Sequence, residues 1–227
     1  MTFTTSPSIP SSLSLPPSTF LQSHPHISRL MASAMLFRPS PTSPPQVLLL
    51  RRAPTDSYPS KWETPGGSTS DRKDASLLAG AVRELHEETG LTAKTILYPV
   101  GMLDTIPHTL SNLGISAAEE GAKNEGDDAR TVSFLETGQT WGKVTVVVDV
   151  HEDLDDDASV RVRDGEHDRW AWATEEEVKG GRWMDGEEIG FVSEGVWRTV
   201  LEGFRLYAER EGRRLMMRFP GKADKGP

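Results

Sequence analysis

The apolar positions of the chain fall into runs of two periods. Leu30–Phe37 (LMASAMLF) and Gln46–Arg51 (QVLLLR) are short apolar runs separated by Pro and Ser, which predicts two strands joined by a turn and paired antiparallel. From about Ala75 to Thr89 the period becomes helical. Leu78, Val82 and Leu85 share one stripe, and Gly90 stands where a left-handed residue closes a helix. Thr95–Thr105, Arg130–Glu136, Lys143–His151 and Arg169–Ala173 read as further strands. In the last, Trp170 and Trp172 alternate as in a sheet covered on both faces. Ser193–Glu211 predicts a second helix: Val196, Val200, Phe204 and Tyr207 recur at helical spacing, with Trp197 and Leu201 widening the stripe into a core face. The order β-β-α-β-β-β-β-α belongs to the α/β (α+β) class, a mixed β-sheet between helices in an α/β/α sandwich.

Residues 1–28 are mostly Ser, Thr and Pro and are expected to be disordered, with one domain over 29–212. Within it, 108–129 reads as a flexible Gly-, Ala- and acid-rich insertion, and 213–227 as a basic tail. The chain has no cysteine, which removes disulfides, thiolate metal sites and cysteine nucleophiles. Its net charge of −9 argues against a stable nucleic-acid partner. No apolar run is long enough for a membrane span. The N-terminus lacks a continuous apolar stretch and its first Arg is Arg29, so a cytoplasmic location is expected, with organelle import not excluded.

The chemistry concentrates in Pro65–Leu91, PGGSTSDRKDASLLAGAVRELHEETGL. Glu84, Glu87 and Glu88 stand at i, i+3 and i+4, within an arc of about 100° opposite the apolar stripe. Three glutamates on a helix face are usually just a solvated surface. Here they follow a Gly-Gly turn that lets backbone approach closely. Oxygen ligands beside such a backbone suit a hard cation such as Mg²⁺ or Mn²⁺, and an acidic protein needs one to take a polyanion.

The segment Arg83–Leu91, R-E-L-x-E-E-x-G-L preceded by Pro-Gly-Gly, resembles the Nudix box of the Nudix hydrolase family. The resemblance implies a loop–helix–loop in a Nudix-like α/β/α sandwich. It also implies Mg²⁺-dependent hydrolysis of a phosphoanhydride in a nucleoside diphosphate linked to another moiety, or in a similar small-molecule organic pyrophosphate. Position by position, Glu87 and Glu88 match the family's metal-binding pair, and Glu84 the glutamate that binds metal or serves as base. Arg83 matches the arginine that orients these carboxylates, and Gly66 the glycine whose carbonyl can reach a metal. The front half departs: Gly67 and Arg83 stand 16 positions apart, two more than is usual. Where the family places a further glutamate bracing the arginine, this chain has Ala75, with Asp74 beside it. That departure leaves a second function open, a Nudix-fold ligand-binding or regulatory module with weakened turnover.

Downstream, Glu166 in Gly165-Glu166-His167 is the best alternative base or extra ligand, ahead of Glu136 and Glu125. Arg51 and Arg52 are candidates for the substrate phosphates, and Trp62 for stacking on a base. His108, His151 and His167 receive no role. Asp153, Asp155 and Asp157 have the spacing of a calcium loop, but Ala158 stands where such a loop needs glycine and the flanks read as strands, so an acidic hairpin loop is expected. The substrate itself is not legible.

Overall fold

The computed structural model describes residues 2–38, 43–104, 120–163 and 165–218. The larger of two sheets is ordered β1 (Thr4–Thr5), β7 (Ala93–Val100), β10 (Gln139–Val150), β2 (Arg29–Met35) and β6 (Gly66–Thr69). Strand β10 organises it. Its Val- and Thr-rich sequence suits a pleated, doubly covered surface. One edge runs parallel to β2, from Trp141 opposite Arg29 to Val147 opposite Met35. The other pairs antiparallel first with β9 (Val132–Glu136) and then with β7. The smaller sheet is antiparallel: β11 (His167–Thr174), β4 (Gln46–Arg52) and β3 (Phe37–Arg38), with β5 (Trp62–Glu63) on the other edge of β4.

Two apolar cores flank the sheets. Leu48 and Leu50 of β4 point into the first, with Leu78, Val82 and Leu85 of helix α2 (Leu77–Thr89). Val47 and Leu49 point into the second, with Val196, Val200 and Phe204 of helix α4 (Glu194–Arg218). A strand buried on both faces reads as an unbroken apolar run, which is why QVLLLR was recognisable. The mixed sandwich expected from the element order is the one observed.

Several expectations need correcting. The runs before and after the Pro/Ser turn pair only at Phe37 with Val47 and Arg38 with Gln46. The earlier part, β2, belongs to the other sheet, where it lies between β10 and β6. Two short strands, β5 and β6, occupy what was expected to be loop, and a helix α3 (Glu175–Gly180), closed by a Thr174–Glu177 capping box, was not foreseen. Of the supposed insertion, Glu120–Asn124 form β8, paired with β9, and 108–119 lie outside the described residues. Of the basic tail, 213–218 extend α4 and 219–227 lie outside the described residues.

The largest correction is at the N-terminus. Residues 2–28 are ordered: β1 pairs parallel with β7, a 3-10 turn spans Ser11–Ser14, and helix α1 covers Pro17–Gln22. Leu13, Phe20 and Ile27 are buried in the first core. The composition is poor in apolar residues, but three well-placed anchors secure the segment, and Pro limits the entropy lost on ordering it.

Candidate active site

Helix α2 begins at Ser76, whose side chain accepts from the Ala79 N–H at 3.1 Å, and ends at Gly90 with φ 73°. These caps fix its rotation. The apolar stripe faces the first core, and Arg83, Glu84, Glu87 and Glu88 turn toward β6 and a cleft of about 310 Å³. Gly66 and Gly67 on β6 form the opposite wall. A Cβ on Gly67 would lie 2.7 Å from Glu84 Oε1, so only glycine lets strand and carboxylate approach so closely.

Glu88 is 5% exposed and accepts the Gly66 N–H at 2.9 Å. Burial, then the charge of Glu63, pushes its carboxyl well above the usual carboxylate range. Burial likewise raises Glu84, against the pull of Arg83 at 2.8 Å. Arg83 also donates to Glu87 at 3.1 Å.

The brace behind Arg83 is Asp74. Its carboxylate, 3% exposed, takes the guanidinium in two-pronged fashion at 2.7 and 3.1 Å. Burial opposes ionisation, yet the hydrogen bonds from Arg83 and Thr69 hold Asp74 below its ordinary value. The lengthened loop has therefore carried Asp74 to where it supports the arginine from the side opposite the glutamates.

Four of the other candidates are separated by the structure. Arg52 and Glu166 line the cleft. Arg51, one residue along β4, faces the opposite side and is paired in two-pronged fashion with Asp168 at 2.8 and 3.0 Å, away from the cleft. Trp62 is not available for stacking on substrate: it is 1% exposed, inside the second core, with its ring edge-on to Trp183. Successive strand residues point to opposite faces, so the core position of Trp62 sends its neighbour Glu63 toward the cleft. Glu136 and Glu125 sit elsewhere, accepting from Tyr58 and Ser133 respectively, and neither lines the cleft.

Sequence reasoning missed a buried triad behind the site. Glu63 accepts from Arg52 at 2.6 Å and lies 3.3 Å from His167 Nε2. Burial disfavours its charge, but His167 and Arg52 outweigh that and hold it below the ordinary glutamate value. His167, assigned no role from the sequence, is 3% exposed, and its Nδ1 has no hydrogen-bond partner among the described residues. Alternation from Trp62 was the signal for Glu63. For His167, adjacency to Glu166 was the only hint. Lys73 and Arg163 also reach the cleft.

Among the described residues no three acidic or imidazole groups converge closely enough, as placed, to hold an ion. Glu84 and Glu87 are turned onto the same Arg83 nitrogen. The donor set nonetheless fits a hard divalent cation. It is all oxygen, it lines one cleft, and Glu88 is a buried carboxylate whose proton affinity is raised first by burial and then by the charge of Glu63.

The mixed α/β sandwich thus carries a glycine-walled, carboxylate-lined cleft beside one capped helix. The chain belongs to the NUDIX domain family, whose model matches residues 29–194, and is thereby a Nudix-type hydrolase. Among solved structures, the chain is similar to the following. A Nudix hydrolase from M. smegmatis, RenU, is 19% identical with TM-score 0.43, covering 81% of this chain and 85% of its own. A C. elegans Ap4A hydrolase binary complex is 18% identical with TM-score 0.48, covering 82% and 99%. The NUDIX domain of Shewanella oneidensis NrtR complexed with ADP ribose is 15% identical with TM-score 0.42, covering 88% and 98%. No curated protein matches the chain in sequence.

Proposed function

We propose that the chain is a metal-dependent diphosphatase, cleaving a phosphoanhydride bond in a nucleoside diphosphate linked to another moiety or in a similar organic pyrophosphate. The observation that carries this is the meeting of Glu84, Glu87 and Glu88 with Gly66 and Gly67 in one cleft, under a braced Arg83. Glu84, Glu87, Glu88 and the Gly66 carbonyl would hold Mg²⁺ or Mn²⁺. When bound, such ions neutralise a diphosphate and lower the pKa of water.

The chain's own groups supply position and proton transfer. Arg83, fixed by Asp74, keeps Glu84 and Glu87 on the cleft side of α2. Glu84 is the nearer candidate for general base, because burial already raises its affinity for a proton. Glu166 is the alternative: it is half-exposed and lines the same cleft, with Arg163 at 3.9 Å. Phosphoryl transfer asks mostly for such placement and charge compensation. The motives for a weakened binding module were the altered front half of the box and the long insertion, and Asp74 answers the first.

The test is hydrolysis of a diphosphate panel with Mg²⁺ or Mn²⁺, read by product mass, for the wild type, Glu87→Gln and Glu88→Gln. The wild type should turn over at least one substrate and lose activity on chelation. Full activity in Glu88→Gln would refute the mechanism, and tight binding without any turnover would favour the binding module.

A further inference from the structure

We infer that Lys73 is a specificity-determining residue, binding a substrate phosphate outside the pair that is cleaved. This rests on the diphosphatase reading above. It follows from a charge account of the cleft, which four cations line: Arg52, Lys73, Arg83 and Arg163.

Three of these are already compensated. Arg52 meets Glu63 and Asp56, each at 2.6 Å. Arg83 is shared by Asp74 at 2.7 Å, Glu84 at 2.8 Å and Glu87 at 3.1 Å. Arg163 stands between Glu166 at 3.9 Å and Glu87 at 4.0 Å, the outer limit of an ion pair. Lys73 differs. Among the described residues no carboxylate lies within 4.0 Å of its ammonium, and the nearby charge of Glu84 is felt only at longer range. A cleft cation with no carboxylate paired to it is a place for an anion of the substrate.

The backbone beneath Lys73 is held from two sides. Ser70 C=O accepts both the Lys73 and the Asp74 N–H at 2.9 Å, making a tight turn. On one side Asp74 is buried against Arg83. On the other, Asp71 accepts the Ser18 N–H at 2.8 Å and the Ser18 hydroxyl. Ser18 lies on α1, outside the stretch that the family model matches. The N-terminal segment thus presents Lys73 to the cleft on a fixed stem. The substrate class that uses it carries phosphate beyond the scissile pair: a triphosphate or longer chain, or a diphosphate bearing a further phosphate monoester.

The probes are methylene-bridged adenosine diphosphate and fully methylene-bridged adenosine triphosphate, titrated calorimetrically with Mg²⁺ against the full-length wild type, Lys73→Ala, Lys73→Arg and Ser18→Ala. Lys73→Ala should weaken the triphosphate analogue about tenfold, the scale of one hydrogen bond to a charged group. The diphosphate analogue should change less than about twofold, and Lys73→Arg should restore the difference. Turnover should show the same split, with KM rising most for substrates with the extra phosphate. Ser18→Ala should lose part of the discrimination; retention of all of it would overturn the clamp. Equal losses on both analogues, or none on either, would overturn the assignment of Lys73. Should the wild type hydrolyse nothing, the diphosphatase reading falls, while the binding comparison still decides on Lys73.

Discussion

Gly67 and Glu84 meet closely in the cleft. A methyl group at Gly67 has nowhere to go but into the Glu84 carboxylate. Gly67→Ala should therefore reduce turnover at least tenfold, while far-ultraviolet circular dichroism and the melting temperature change little, since the backbone there is ordinary strand. Glu88 has the opposite signature. It is buried beside other acids and its proton affinity is raised chiefly by burial, so its charge destabilises the metal-free fold. Glu88→Gln is expected to raise the melting temperature without metal and to abolish most of the stabilisation that Mg²⁺ gives the wild type. A calorimetric scan with and without Mg²⁺ reads both. Equal Mg²⁺ stabilisation of the two proteins would contradict the placement of the cation.

At the scale of elements, the long periodic segments were legible and the short ones were not. Helix α2 was visible because its stripe, its cap and Gly90 agree, and α4 because of its Trp- and Val-rich face. The cleft-facing glutamates followed from the same 3.6-residue period. Strands of two to four residues such as β5 and β6 carry too few positions for a period to register, so Glu63 remained hidden, and Trp62, open between packing anchor and base stacking, lies in the core. Arg51 and Arg52 show the same limit. Alternation says that only one can face the cleft, but the strand's phase is set by contacts that lie far apart in sequence.

One strand also carries a testable burden. Tyr98 on β7 is buried, and its hydroxyl has no hydrogen-bond partner among the described residues. Burial, the largest cause, raises its phenol above the ordinary value of 10.0. A raised pKa in the folded state means that stability is intact below the unfolded pKa and is lost as pH climbs past about 10. Tyr98→Phe should leave stability at neutral pH unchanged or improved by up to about 1 kcal/mol, and should flatten the alkaline decline. Denaturant titrations at neutral pH and above pH 10 measure both.

For the molecule as a whole, residues 2–28 were the chief surprise. Their average composition speaks for disorder, and averages conceal sparse anchors: Leu13 and Phe20 are at most 1% exposed. Each is worth a few kcal/mol, since truncating a buried Phe costs about 3–5 kcal/mol. A chain starting at Arg29 retains every residue matched by the family model, yet it should melt well below the full-length protein or fail to stay soluble. Thermal shift on the two proteins checks this, and equal melting temperatures would show the segment to be dispensable.

The same segment bears on how the chain matures during synthesis. Its first strand meets β7 through Thr4 and Thr95, 91 positions apart. Thr4 and Thr5 must therefore wait for some ninety further residues to be made before they can dock. Until then Leu13 and Phe20 have no core to enter, and closing so long a loop is entropically slow. Nascent chains halted before β7 emerges should thus be greasy, protease-sensitive and prone to capture by chaperones, and release should come only once Ala93–Val100 is in reach.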